Sequence, residues 1–332
     1  MRFFSGLLLA IALGLLSGSC ARHEEKIDSS KPLIAVIPKG TTHEFWKSVH
    51  AGALKAAEEV DVDIIWKGPM KEDDREAQIS VVEDFVSRKV SGIVLAPLDD
   101  AALRAPVLSA MAVGIPVVII DSDLQGKDYV SFIATDNYRG GEIAGERMIE
   151  RLNGKGRVVM LRYQEGSAST TYREQGFLDA LSGAPGIEVV SSSLYGGATT
   201  ESAYRASENL LSPLKGEAGT LLVQGIFTPN ESTTFGMLRA LQDGRFAGSV
   251  PFIGFDSSPK LVEALEKGEI DGLVLQNPFN MGYLGVKTLV AALRGTTVER
   301  RIDTGVMLVT RENMIEPEVR NLLLPDLSHW LK

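Results

Sequence analysis

Gly114-Ile115-Pro116-Val117-Val118-Ile119-Ile120-Asp121 is the stretch that decides the fold. Its apolar run over 115–120 shows no polar alternation, so a strand there is covered on both faces, as in a parallel sheet with helices on each side. Gly and Asp punctuate its ends. Helical spacing precedes it over 101–112, and another apolar run follows at 130–134. Outward from this unit the pattern repeats. Short Val/Ile/Leu runs recur at 33–37, 62–66, 92–96, 157–161, 187–190, 219–223, 251–255, 271–275 and 306–310. Helical stretches lie between most of them, at 45–60, 74–88, 137–152, 170–182, 200–212, 231–242, 258–267 and 280–294. Strand–helix alternation over this length predicts right-handed βαβ units in an α/β fold with doubly wound sheets. Eleven strands are many for one such sheet, so two lobes of five or six strands are expected. No Ser/Gly/Pro-rich linker follows residue 32, so several short crossovers join the lobes. Open α/β sheets bind ligands at the carboxyl ends of their strands, and two facing sheets form a cleft there.

The chain of 332 residues has a formal charge of −9, which argues against nucleic acid as a partner, because phosphate binding needs clustered Lys and Arg. Cys20 is the one cysteine, so neither an intrachain disulfide nor a multi-thiolate metal cage can form. The four histidines are too scattered to suggest a zinc enzyme. Arg2 followed by the apolar run Phe3–Leu16 reads as a cleaved leader, too short to span a membrane comfortably. Ser17-Gly18-Ser19-Cys20 resembles a bacterial lipoprotein signal in which the cysteine becomes the lipidated first residue. Ser17 stands where that signal usually has Leu, and an ordinary leader with an incidental cysteine is the alternative. Residues 20–32 are a polar tether.

Motifs for catalysis are missing. There is no phosphate loop, dinucleotide turn or nucleophile elbow, and His43-Glu44 meets Lys47 where a zincin helix has its second His. Polar and aromatic residues instead gather at strand ends: Asp121-Ser122-Asp123, Asn230-Glu231, Phe255-Asp256 and Gln276-Asn277. Singly, each reads better as a turn or helix cap. Together they outline the wall of a cleft.

These residues stand in an order that resembles the type I periplasmic sugar-binding proteins of the ribose-binding kind, over essentially the whole chain from residue 32. The resemblance is carried by Ile34-Ala35-Val36-Ile37-Pro38 with Phe45-Trp46, by 114–121, by Thr135-Asp136-Asn137-Tyr138-Arg139-Gly140-Gly141, by Arg173-Glu174-Gln175-Gly176-Phe177, and by Asn230, Gly254-Phe255-Asp256 and Gln276. It implies no enzyme and no cofactor. It implies that Phe45 and Trp46 flank a sugar ring and Phe255 supplies the opposite apolar wall. Asp121, Arg173, Asn230, Asp256 and Gln276 would hydrogen-bond the hydroxyls. It also implies lobes over 33–135 with 277–305 and over 136–276 with 306–332, behind a leader over 1–19.

The sequence departs from the ribose pattern at Lys39, His43, Ala96 and Ser122, which puts ribose itself in doubt. Pro38-Lys39 and Asp121-Ser122-Asp123 resemble the autoinducer-2 and rhamnose branch. If Lys39 and His43 face the pocket with Ser122, a cation there would allow an acidic sugar, a polyol or a more oxidised ligand. The alternative for Lys39 is a solvated surface lysine. The resemblance implies a monomeric, lipid-anchored solute-binding protein, in the periplasm or at the cell surface, that delivers a monosaccharide-like molecule to an ABC permease. A sensory binding protein serving a chemoreceptor or sensor kinase is the alternative. A DNA-binding regulator on this fold needs a helix-turn-helix where this chain has a leader and tether.

Overall fold

A computed structural model of the chain describes residues 31–331, so the leader, the lipidation expectation at Cys20 and the tether before residue 31 lie outside the described residues. The first lobe opens with β1 (Leu33–Ile37), α1 (Glu44–Val60), β2 (Asp63–Trp66), α2 (Arg75–Ser87), β3 (Gly92–Leu95), α3 (Arg104–Ala112), β4 (Val117–Ile120) and β5 (Ser131–Ala134). The chain then crosses to α4 (Asn137–Arg151), β6 (Lys155–Met160), α5 (Ala168–Ser182), β7 (Gly186–Ser191), α6 (Thr200–Leu211), β8 (Gly225–Phe227), α7 (Glu231–Asp243), β9 (Phe252–Phe255), α8 (Pro259–Lys267) and β10 (Gly272–Leu275). It returns for α9 (Pro278–Leu293) and β11 (Arg301–Asp303), and crosses a third time to β12 (Met307–Val309) and α10 (Pro317–Leu323).

The first sheet has the order β11-β5-β4-β3-β1-β2 and is parallel throughout. The second has the order β12-β10-β9-β8-β6-β7, parallel except for β12, which pairs antiparallel with β10. The continuous apolar runs are the inner strands. Ile34 to Ile37 and Val117 to Ile120 are fully buried, with one side-chain set packed against each helical layer. Helix starts follow their caps: Asp74, Asp136, Asn230, Ser258 and Asn277 each accept a backbone N–H from the first turn of the helix they precede.

Each lobe holds one helix pair in very close contact, α1 with α9 and α4 with α5. Glycine permits this. A Cβ on Gly141 would sit 2.0 Å from the Arg173 carbonyl oxygen, and one on Gly176 would sit 2.1 Å from that of Tyr138. Gly52 and Gly282 do the same between α1 and α9.

Two expectations need correction. The run 219–223 is not a strand: it follows a short 3-10 turn, Leu222 is exposed, and the strand of this unit is β8 at Gly225–Phe227. The apolar run was misleading because Gln224 ends it and the buried strand starts only at Gly225. β11 was not expected, because Arg301-Ile302-Asp303 is a polar edge strand with only its middle residue turned inward.

Candidate ligand-binding site between the lobes

β4 and β9 occupy comparable inner positions in the two sheets, and each is followed by an aspartate with a left-handed backbone, Asp121 (φ 62) and Asp256 (φ 67). A non-glycine residue there costs about 1 kcal/mol, and such conformations gather at ligand sites. Arg173, from α5, lies between the two carboxylates. Its Nη2 is 4.0 Å from Asp121 Oδ1 and its Nη1 is 4.0 Å from Asp256 Oδ2. Nε donates to Asn137 Oδ1 at 2.8 Å and Nη1 to the Pro229 carbonyl at 2.9 Å, while the buried Nη2 has no hydrogen-bond partner. Gln276 Nε2 donates to Asp256 Oδ1 at 2.7 Å, and its buried Oε1 is likewise unpartnered. Burial pushes the Asp256 carboxyl up, against the pull of Arg173.

Lys39 is buried at the end of β1, so the solvated-lysine reading is excluded. Its Nζ is 2.8 Å from Asp121 Oδ2 and donates across the cleft to Ser169 Oγ at 3.1 Å and Ser167 Oγ at 3.3 Å. An ammonium has three N–H donors, and these partners use all of them. Its charge is therefore answered by Asp121 inside the protein.

In the same lobe as Lys39, Glu72 accepts from His43 Nδ1 at 2.6 Å and from Trp46 Nε1 at 2.5 Å, and from the Tyr163 hydroxyl of the other lobe at 2.5 Å. Burial works against the His43 charge, but Glu72, with Glu231 and Asp256 beyond it, outweighs burial and raises the imidazole to about 9. Burial likewise opposes the Glu72 charge, and His43, Lys39 and Tyr163 more than offset it, holding the carboxyl low. Glu231, the first residue of α7, reaches across to the start of α1, where the backbone N–H groups of Glu44 and Phe45 donate to it at 3.3 and 3.2 Å. A carboxylate suits a helix N-terminus. Burial nonetheless raises Glu231 to about 7.

Nine of the eleven expected binding residues line one cavity: Lys39, His43, Phe45, Trp46, Asp121, Arg173, Asn230, Asp256 and Gln276. Ser122 and Phe255 do not. Ser122 Oγ accepts the Ser169 backbone N–H at 3.0 Å and ties the lobes behind the cavity. Phe255 is fully buried beneath the Arg173 guanidinium, 4.3 Å from it, and supplies no apolar wall to the cavity. As the last residue of β9 its ring packs in the helix-facing core, while Asp256, past the strand end with its left-handed backbone, lines the cleft. Asn230 caps α7 and lines the cavity at once, so the cap and binding readings are not exclusive. Glu72, Tyr163, Ser169, Thr170 and Glu231 also line it and were not expected. Glu72 lies in the charged run Lys71-Glu72-Asp73-Asp74-Arg75, just before and into the expected helix 74–88. Glu231 was visible only as the neighbour of Asn230. The cavity is about 30 Å³ and shares His43 and Glu231 with a wider mouth of about 440 Å³. Among the described residues no cluster of His, Cys, Asp and Glu is arranged to hold a metal ion, and no helix is long and apolar enough to cross a membrane.

Comparison with known proteins gives a consistent result. The family model described as periplasmic binding protein domain matches residues 34–297. The ribose import binding protein RbsB of Haemophilus influenzae is 27% identical over 310 residues, covering 93% of this chain and 100% of the relative. A carbohydrate transporter solute-binding protein of Agrobacterium radiobacter, solved in complex with D-arabinose, aligns with a TM-score of 0.84 at 34% identity, over 90% of this chain and all of that one. An ABC transporter solute-binding protein of Agrobacterium vitis, solved with bound D-fucose, aligns with a TM-score of 0.83 at 36% identity, over 88% of this chain and all of that one.

Proposed function

The chain belongs to the periplasmic binding protein domain family, and on that premise we propose that it is an extracytoplasmic solute-binding protein, not an enzyme, that takes an uncharged monosaccharide between its lobes and delivers it to an ABC permease. The observation that carries the ligand class is the Arg173–Gln276 pair. One buried donor (Nη2) and one buried acceptor (Oε1) lack partners, and a sugar hydroxyl is both acceptor and donor. A buried polar atom left unsatisfied costs about 1–3 kcal/mol, so a ligand that pairs both favours the closed lobes.

The Lys39–Asp121 ion pair supports an uncharged ligand. Lys39, His43 and Arg173 face Glu72, Asp121, Glu231 and Asp256, and burial raises the last two toward neutrality. Lys39, with its three N–H groups engaged by Asp121, Ser169 and Ser167, is not free to receive a sugar acid. Phe45 and Trp46 stand edge to face at 4.9 Å, offering an apolar surface to the C–H faces of a ring. A cavity of about 30 Å³ holds two or three waters, at ~10–15 Å³ each, so a sugar enters by parting the lobes and is held with them less tightly shut.

We take the lobes to be 33–135 with 277–305 and 136–276 with 306–332, supported by the three chain crossings between the sheets. We also propose that Cys20 is lipidated and anchors a monomeric protein in the periplasm or at the cell surface. The Cys20→Ser variant should leave the membrane fraction or stay unprocessed; unchanged fractionation would reject the anchor. The ligand class is tested by thermal shift with D-ribose, D-arabinose, D-fucose and the corresponding sugar acids. A ligand at 100 times its Kd stabilises by roughly 2.7 kcal/mol, which is readily seen. Stabilisation by the acids and by none of the neutral sugars would overturn the reading.

A further inference from the structure

Three side chains from two lobes converge on one carboxylate. Glu72 lies between β2 and α2, is 6% exposed, and accepts from Trp46 Nε1, His43 Nδ1 and the Tyr163 hydroxyl. Its backbone carbonyl accepts from Gln164 Nε2 at 2.7 Å. Trp46 and His43 share its lobe, whereas Tyr163 and Gln164 belong to the other. The opposite nitrogen of His43 has no protein partner among the described residues, and the ring lines the cavity.

We propose that Glu72 is a positioning residue of the ligand site: it turns His43 Nδ1–H away from the cleft so that the other ring nitrogen presents an N–H to the ligand, holds the Trp46 indole, and receives Tyr163 as the lobes meet. The inference rests on the sugar-binding reading and narrows it. An imidazole that donates at Nδ1 and carries a proton on the second nitrogen offers no acceptor. The ligand atom beside it must supply a lone pair, as any hydroxyl does. An amino sugar that places an ammonium there meets an N–H donor on a charged ring and is rejected. The surrounding charges act in the same sense. Glu231 and Asp256, across the cleft, favour the imidazolium, and Lys39 keeps Glu72 ionised. Glu44, Lys71 and Lys260 stand at the mouth beside His43. The His43–Glu72–Trp46 contacts lie within one lobe, so they outlast opening, while the Tyr163 bond reports closure.

The test is a pH titration of the His43 ring by NMR in the ligand-free protein, with the resonance assigned by its loss in His43→Asn. The wild type should hold the ring protonated past pH 8. In Glu72→Gln it should titrate at least one pH unit lower, a tenfold loss of proton affinity. For whichever of D-ribose, D-arabinose and D-fucose binds the wild type, the ratio of Kd in Glu72→Gln to wild type should grow at least threefold from pH 6 to pH 8. A merely structural role would weaken binding by the same factor at every pH, and that result overturns the proposal. So does a wild-type His43 that titrates in the ordinary range near 6.5, a measurement that stands even where Glu72→Gln fails to fold. If none of the three sugars binds, the sugar reading fails by itself and the NMR titration still decides the role of Glu72.

Discussion

The Arg173 guanidinium lies 4.3 Å from the centre of the Phe255 ring, stacked over its face. Gly140 lies against the tip of the ring, where a Cβ would stand 2.8 Å from Phe255 Cζ. The ring therefore fixes the height at which Arg173 meets Asp121 and Asp256, and it affects ligand through the arginine. Replacing Phe255 by Leu keeps an apolar core but removes the π-face. Sugar affinity by calorimetry should fall by about 0.5–2 kcal/mol, the range for exposed to desolvated cation–π contacts. Arg173→Ala should cost more, about 3–5 kcal/mol, because it leaves the buried Asp256 carboxylate without its cation, while Asp121 keeps Lys39. Equal losses in the two variants would mean that Phe255 does something other than support the arginine.

The same arginine depends on a helix contact more than a turn from its head group. Gly141 of α4 packs against the Arg173 carbonyl oxygen, with no room for a methyl group between the backbones. Gly141→Ala must push α5 away from α4 and carry Arg173 with it. Overpacking of this kind costs about 1–3 kcal/mol, and here the neighbour is a backbone carbonyl, which yields least. Urea unfolding should show a loss of that size, with weaker sugar binding in the fraction that remains folded. Ala at Gly154, where a Cβ would meet nothing within 4 Å but φ is +72, gives a control for stability loss without displacement of the site.

How much of this was legible in the sequence divides along a physical line. Buried parallel strands carry their own signal, because covering both faces demands consecutive apolar residues, as at 33–37 and 115–120. Asp121, Asp256 and Gln276 stood out as polar residues at the ends of such strands, but their binding roles, and any role for Lys39, came from the family resemblance. β11 could not, since an edge strand with one inward residue needs only Ile302 to be apolar. Glu72 could not either. Its burial follows from Trp46, His43 and Tyr163 closing over it, two of them from distant sequence and one from the other lobe. Phe255 was expected in the site from the family resemblance, but it ends β9 with its ring in the core beneath Arg173.

Glu231 makes closure sensitive to pH. With the lobes apart, solvent returns it toward the ordinary carboxylate value of 4.5; in the closed form burial raises it to about 7. A group whose value rises on closing takes up a proton in that window. The closed form is fully favoured below about 4.5 and loses that contribution as pH climbs through about 7. Sugar affinity should therefore weaken between pH 6 and 8, and Glu231→Gln should flatten the profile while keeping an oxygen acceptor for the Glu44 and Phe45 N–H groups. A wild-type affinity that instead rises over this range would show that the ionised carboxylate at the α1 N-terminus outweighs its burial.

Trp46 should report ligand binding through its fluorescence. The other two tryptophans are remote from the cavity: Trp66 stacks on His50 at 4.4 Å within the first lobe, and Trp330 stands edge-on to His329 near the C-terminus. Trp46 is 3% exposed, packs in the first-lobe core and lines the cavity with its N–H on Glu72. A sugar that parts the lobes and then sits against this ring changes both its solvation and its distance from the charged His43–Glu72 pair. Trp46→Phe should abolish the response. It also removes a charge-assisted hydrogen bond from a buried carboxylate, so affinity should fall by about 1.5–3 kcal/mol, more than a smaller stacking surface alone would cause. His50 provides the internal control. Burial lowers its imidazole to about 4, so it stays neutral beside Trp66 at any pH above about 5, and Trp66 emission should be steady across the assay range. A response that survives in Trp46→Phe and vanishes in Trp66→Phe would move the sugar away from Phe45 and Trp46, and the first-lobe wall of the site with it.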